Sequence, residues 1–246
     1  MNFTILRFDR LGSTNVEAIS QAKQGAPEGL TVVAREQSAG RGRHSRSWVS
    51  EKDAGLFFSV VLRPKNEVRF LPLLTMMAAV AVCETLREQD LDPDIKWPND
   101  LLVNEKKICG VLAEMTETPT GTAIILGIGI NLRHSNYLPE IAAVVTSVEN
   151  ETSHPPDSEA VLRSLTAQIS RYYDIFCLPD GPAQIRSAWS ERSSYFEGKD
   201  VKAVIANRTI TGVTRGIEEN GALRVETVDG RVEIIHAGDV ERLRQA

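Results

Sequence analysis

Residues 2–8 are rich in Phe and Ile and alternate with polar positions, the period-two pattern of a strand. Thr14 with Glu17 reads as a capping box opening a helix that runs to about Lys23. Leu30–Glu36 is β-branched and strand-like. It opens into Gln37–Ser47, which is too charged and too glycine-rich for regular structure. Leu56–Leu62 predicts the next strand, and Phe70–Arg87 has the length and apolar spacing of a buried helix. Ile95–Trp97 predicts a short strand ended by Pro98. Leu101–Val103 and Lys107–Met115 predict two arms of a hairpin turning at Asn104–Lys106. Thr122–Leu132 predicts a further strand, in which Gly127 and Gly129 mark the close approach of a ligand or of another backbone. Asn150–Pro156 reads as a surface loop, and Ser158–Phe176 and Ala183–Arg192 as helices.

From Gly198 the runs shorten. Val201–Ala206, Thr209–Ile217, Ala222–Thr227 and Arg231–His236 are separated by turn signals at Asn207, Glu219–Gly221 and Asp229–Gly230. Four or five strands in about fifty residues predict a small β-barrel. The expected organisation is an α/β or α+β domain over residues 1–192, followed by an all-β module over residues 193–246.

Composition narrows the classes without choosing among enzymes. The 246 residues are 42% hydrophobic and 25% charged, enough to bury a core and too apolar for disorder. A formal net charge of −5 argues against a general nucleic-acid binder. Three cysteines, Cys83, Cys109 and Cys177, show no paired spacing, and the four histidines are scattered, so neither a disulfide framework nor a metal site is expected. The charge-free runs Phe70–Cys83 and Thr118–Leu132 are shorter than the roughly 18 residues of a membrane span. Arg7 and Asp9 interrupt the apolar stretch a signal peptide would need. These features point to a soluble protein of a reducing cytoplasm, with no membrane partner.

The strongest chemical signal is Gly40-Arg41-Gly42-Arg43-His44-Ser45-Arg46. Arginine offers forked donors to phosphate or carboxylate, and the glycines let a loop fold over an anion. A solvated basic loop, or one that binds RNA or a membrane, fits the composition equally well. A Walker-type phosphate loop is excluded, because GxxxxGK[ST] does not occur. Lys96-Trp97-Pro98-Asn99-Asp100, followed by Lys107, suits an active-site rim, but also a plain β-turn with Trp97 in the core. Ser13-Thr14-Asn15 suits a helix N-cap, a ligand head group, or both. Gln37 alone reads as a solvent-exposed loop residue.

Taken in order, these segments, with Trp48, Lys107-Ile108-Cys109-Gly110-Val111-Leu112-Ala113-Glu114 and Gly127-Ile128-Gly129-Ile130-Asn131, resemble the biotin protein ligases. Gly212–Ile217 and Gly221-Ala222-Leu223 resemble that family's terminal module. The resemblance covers nearly the whole chain. It implies an α+β fold: a mixed-sheet catalytic domain like those of the class II synthetases, then an SH3-like β-barrel.

It also implies two-step chemistry. Biotin is activated by ATP as biotinyl-5′-AMP with release of pyrophosphate, then transferred to a lysine of a biotin carboxyl carrier protein. By the family pattern Arg41, Arg43, Lys107 and Asp100 are catalytic. Ser13, Thr14, Asn15, Gln37, Arg41, Gly42, Arg43, Lys107, Gly110, Gly127 and Gly129 take biotin, and Arg43, Arg46, Trp48, Lys96, Asn99 and Asn131 take the nucleotide. Magnesium is expected with ATP, held by phosphates and waters.

A carboxylate approaching a polyphosphate needs cations, which Arg41, Arg43, Arg46 and Lys107 supply; losing one such donor costs about 3–4 kcal/mol of transition-state stabilisation. A free lysine titrates near 10.4, so its neutral amine costs roughly 4.6 kcal/mol at pH 7. An ordinary aspartate, at about 3.9, is a weak base, so Asp100 is expected chiefly to orient and attract the acceptor lysine.

Two departures stand out. Ser45 replaces the third glycine of the family loop GRGRxGR, which is expected to alter loop dynamics rather than chemistry. Only twelve residues precede Ser13, so the helix-turn-helix domain of bifunctional relatives is expected to be absent, and DNA binding with it. A lipoate or octanoate transferase is the nearest alternative; a biotin-sensing regulator and a catalytically dead binding protein are others. The Arg41–Ser47 loop is expected to order over the adenylate. Arg215 is expected to help close the site, and an exposed sheet edge would be able to support a homodimer. All three cysteines are expected to be structural, with Cys109 the one near enough to the site to be worth alkylating.

Overall fold

The computed structural model of the chain describes residues 1–49, 51–137, 139–205 and 208–242. Its larger sheet is mixed. Strands β1 (Thr4–Phe8), β2 (Leu30–Ala34), β3 (Gly55–Leu62), β4 (Asp94–Lys96), β5 (Asp100–Val103), β6 (Lys106–Thr118) and β7 (Gly121–Asn131) lie in the order β1-β2-β3-β7-β6-β5-β4. β1 and β2 are parallel, separated in sequence by helix α1 (Thr14–Lys23); the other neighbours are antiparallel. The hairpin β5–β6 turns at Asn104 and Glu105, both with positive φ, as a two-residue reversal between strands requires.

The period-two alternation of the central strands divides the interior. Val60, Leu62, Ile124, Leu126, Ile128 and Ile130 belong to the main core with helix α2 (Leu73–Arg87). Val61, Ala123 and Ile125 form a second cluster with Ala18 and Ala22 of α1. Twelve of the fifteen residues of α2 are buried, because helices α5 (Ser158–Phe176) and α6 (Gly181–Ser190) cover the side turned from the sheet. Two single-turn helices, α3 (Pro139–Ala142) and α4 (Val148–Glu151), precede α5. α2 starts three residues later than its apolar spacing predicts, since a 3-10 turn at Val68–Phe70 and Pro72 lead into it.

The C-terminal module is all-β. Strands β8 (Glu197–Ile205), β9 (Arg208–Ile217), β10 (Leu223–Thr227), β11 (Val232–Ile235) and β12 (Asp239–Arg242) pair antiparallel in the order β11-β10-β9-β8-β12. Where the sequence predicts a barrel, the ladder among the described residues stays open, with β11 and β12 as its edges. The predicted turn at Asn207 and strand end at Ala206 lie outside the described residues. The two modules share one core: Trp97 is buried and donates its indole N–H to the Gly221 carbonyl (2.9 Å), and a Cβ on Gly221 would meet Leu73 and Met76 at 3.0 Å. Trp97 is therefore a core residue, not part of a rim.

Candidate active site

The site lies on the α1 face of the large sheet, where the alternation that places Ala123 and Ile125 there continues to Gly127 and Gly129. The register sets two cross-strand rows. Ser59, Gly127 and Leu112 lie abreast, as do Phe57, Gly129, Gly110 and Asp100. The glycines leave a trough in the sheet surface.

What approaches the glycines is side chain rather than backbone. A Cβ on Gly127 would stand 2.1 Å from Asn15 Oδ1, and one on Gly129 2.7 Å from the Trp48 indole. A Cβ on Gly110 would meet the same indole at 2.9 Å and Lys107 Nζ at 3.3 Å. The cavity over this trough, about 130 Å³, is walled by Ser13, Thr14, Asn15, Gln37, Arg41, Gly42, Arg43, Arg46, Trp48, Asn99, Asp100, Lys107, Gly110, Gly127 and Gly129. Of the residues the sequence marks, Lys96 and Asn131 are not in that wall; Asn131 is buried and donates to the Thr146 carbonyl (3.0 Å).

The start of α1 is built differently from a capping box. Ser13 occupies the N-cap without a side-chain cap, and Thr14 is already helical. The Thr14 N–H is satisfied by Gln37 Oε1 (2.8 Å), which also accepts from the Thr14 hydroxyl (3.1 Å). Glu17 instead accepts from Gln21. Beneath them Ser59, fully buried in β3, lies 2.8 Å from Thr14 Oγ1 and 2.6 Å from Asn15 Oδ1. Asn15 Nδ2 donates to Glu114 Oε2 (2.8 Å), whose Oε1 is 3.2 Å from Arg41 Nη1. A continuous polar chain thus runs from Gln37 through Thr14, Ser59, Asn15 and Glu114 to Arg41. Its buried polar groups are paired, which fixes their orientation.

The arginine loop is tighter than its composition suggests. Gly42 donates to the Arg46 carbonyl (2.7 Å) and Trp48 to the Gly40 carbonyl (2.9 Å), and Arg41 bridges Ser47, around a 3-10 turn at Arg43–Ser45. The Ser45 side chain lies outside what is described. Every cation of the site has an internal partner. Arg41 pairs with Glu114, Lys107 with Asp100 (2.7 Å) and Arg46 with Asp239 (2.5 Å); Arg43 donates to Asn99 Oδ1 (3.2 Å) and the Gly238 carbonyl (3.3 Å). Burial pulls the Arg43 guanidinium below its usual value, against the opposing charges of Asp239 and Asp100. Lys107 is fixed at its backbone by the 144–146 segment, donating to the Val144 carbonyl and accepting from Thr146 N–H.

Three contributors were not assigned from sequence. Ser59 carries a usable signal, a lone hydroxyl in the apolar run Leu56–Leu62. Glu114 ends the Lys107–Glu114 segment, where its neighbours give no sign of a partner at Asn15 or Arg41. Asp239, which also lines the cavity, carried no signal, since nothing local links it to Arg46. Arg215 pairs with Glu226 (2.6 Å) and is not in the cavity wall. Cys109 is fully buried, which raises its thiol pKa, so it is poorly placed for alkylation. Among the described residues no three His, Cys, Asp or Glu side chains are grouped to hold a metal ion, and no helix is long and apolar enough to cross a membrane.

Comparison with known proteins gives this geometry a family. Residues 8–131 match the biotin/lipoate A/B protein ligase family, and residues 197–243 the biotin protein ligase C-terminal domain. The bifunctional ligase/repressor BirA of Bacillus subtilis is 35% identical over 241 residues, covering 96% of this chain and 73% of that protein. The biotin–[acetyl-CoA-carboxylase] ligase of Paracoccus denitrificans is 35% identical over 245 residues, covering 94% and 97%. A solved biotin protein ligase from Aquifex aeolicus, in complex with biotin and ATP, superposes with a TM-score of 0.84 at 28% identity, over 98% of this chain and 99% of that one. The chain belongs to the biotin protein ligase family.

Proposed function

We propose that this protein is an ATP-dependent ligase that activates biotin as biotinyl-5′-AMP and passes it to a lysine of a biotin carboxyl carrier protein. The observation that carries the reading is the convergence of Arg41, Arg43, Arg46 and Lys107 on one cavity whose floor is the Gly110–Gly129 row.

In the first step a biotin carboxylate oxygen attacks the α-phosphorus of ATP, and the bond to the pyrophosphate oxygen breaks. Two anions must meet, so the cations carry the step. Lys107 serves the reacting carboxyl and α-phosphate, while Arg41 and Arg43 close over the adenylate. Arg46, Trp48 and Asn99 serve the nucleotide. Ser13, Thr14, Asn15 and Gln37 face the ureido ring, and the pairing of Thr14 and Asn15 to Ser59 fixes which atoms they offer. The carboxylates nearest the cations, Asp100, Glu114 and Asp239, are each already paired with one of them. Magnesium therefore fits as an ion carried in by the triphosphate, where it would neutralise phosphate charge.

In the second step the acceptor ammonium gives one proton to water, the neutral amine attacks the acyl carbon, the bond to the AMP oxygen breaks, and the second nitrogen proton passes to water. Asp100 attracts and aligns the incoming ammonium once Lys107 is drawn to the phosphate. The division into a catalytic part, residues 1–192, and a terminal part, residues 193–246, belongs to the same reading, as does a cytoplasmic location.

Incubation with biotin, ATP, magnesium and a biotin carboxyl carrier domain tests this reading. One biotinyl group on one lysine, absent when ATP is omitted, is expected. An unmodified carrier would overturn the transfer step.

A further inference from the structure

The C-terminal sheet meets the arginine loop at the start of β12. Asp239 Oδ2 is 2.5 Å from Arg46 Nη2, and the neighbouring Gly238 carbonyl accepts from Arg43 Nη1 at 3.3 Å. Asp239 is itself pinned in the sheet, opposite Val204 of β8, and lines the same cavity as Lys107 and Asp100. Arg46 projects into solvent, with 68% of its side chain exposed, whereas Asp239 is two-thirds buried. The carboxylate is therefore the fixed member of the pair and the arginine the captured one.

Two opposing effects follow. Asp239 competes with a phosphate for Arg46. It also adds an anchor at Arg46 to a loop closed by its own backbone bonds and held at Arg41 by Glu114, so less order has to be imposed when a ligand binds. The ion pair engages one nitrogen of the guanidinium, and five N–H donors are available on that group, so a phosphate can be met without breaking the pair. Repulsion across an exposed, screened position is weak, while the ordering covers the whole loop. Holding wins.

We propose that Asp239 is a positioning residue for adenylation: β12 sets the arginine loop over the nucleotide by fixing Arg46 through Asp239 and Arg43 through the Gly238 carbonyl. This rests on the ligase reading above. The test compares the full chain with Asp239→Asn and Asp239→Glu in two assays. In biotin-dependent pyrophosphate exchange, Asp239→Asn is expected to raise the KM for ATP about fivefold, with little change in kcat or in the KM for biotin, and Asp239→Glu to restore most of it. In the ligand-free protein, trypsin is expected to cut within Arg41–Arg46 several-fold faster in Asp239→Asn than in the wild type or Asp239→Glu. An unchanged or lowered KM for ATP in Asp239→Asn overturns the proposal. If the wild type shows no exchange with biotin, the ligase reading fails on its own, and equal cleavage of the three proteins then overturns the loop-holding role.

Discussion

Lys107 Nζ lies 2.7 Å from Asp100 Oδ1, with the two side chains 31% and 21% exposed. The sheet places them together: Asp100 sits opposite Gly110 in the β5–β6 ladder, and Lys107 reaches over the space that Gly110 leaves open, 5.3 Å from the Trp48 ring centroid. Each charge neutralises the other before substrate arrives. In the proposed reaction the carboxylate of biotin and the triphosphate would offer Lys107 a larger negative charge than Asp100 does, which would release the aspartate to meet a second ammonium.

Asp100→Asn should therefore affect the two half-reactions unequally. Single-turnover transfer from preformed biotinyl-5′-AMP to a carrier domain is expected to fall about 10–100-fold, and formation of the adenylate by less than about tenfold. Rapid-quench measurement of both steps checks this. Transfer at the wild-type rate would remove Asp100 from the second step.

Gly127→Ala is expected to displace Asn15 and so to act through the polar chain beneath the cavity. The added methyl would need the place of a buried carboxamide bonded to Ser59 and Glu114, at a cost of about 1–3 kcal/mol. Gly212→Ala meets the Glu226 carbonyl just as closely, at 2.1 Å, but in β9 and outside the cavity wall. Both variants should melt earlier, and calorimetric titration with biotin should show weakened binding only for Gly127→Ala.

The cysteines should divide by burial. Cys83 and Cys109 are fully buried, and burial pushes the Cys83 thiol up to about 11, whereas Cys177 is exposed. At about pH 8, iodoacetamide should label Cys177 first and reach the other two only after unfolding. Peptide mapping by mass spectrometry reads the order, and early labelling of Cys109 would contradict the structure.

Acid should loosen the packing of α2 against the segment after α6. Desolvation raises the Glu84 carboxyl, but hydrogen bonds and charge from Arg192 and Arg87 outweigh it, holding the group below the usual glutamate range. A depressed carboxyl stabilises the fold above its unfolded value, near pH 4.3, and that stability is lost as pH falls through the lower folded value. Glu84→Gln should cost about 1–2 kcal/mol at pH 7. In urea unfolding, the gap between variant and wild type should narrow below about pH 4.

The parts legible in the sequence were those with a local cause. The alternation of β3 and β7, the apolar length of α2, and the clustering of Arg41, Arg43 and Arg46 follow from neighbours within a few residues. Gln37 capping α1 at Thr14, Ser59 under Asn15, and Asp239 against Arg46 join positions 23 to 193 residues apart, so no window along the chain contains them. The start of α1 shows the same limit: Thr14 and Glu17 have capping-box spacing, but a distant glutamine takes the helix N–H instead. Gly127 and Gly129 were recognisable as gaps, though only the fold shows that Asn15 and Trp48 lie against them.

The most direct measurement is pyrophosphate exchange into ATP, with magnesium, using biotin, lipoate and octanoate in turn. Exchange that requires biotin, and that falls about 10²–10³-fold in Lys107→Ala, is the expected result. Exchange supported by lipoate or octanoate instead, or unaffected by the loss of Lys107, would contradict the account.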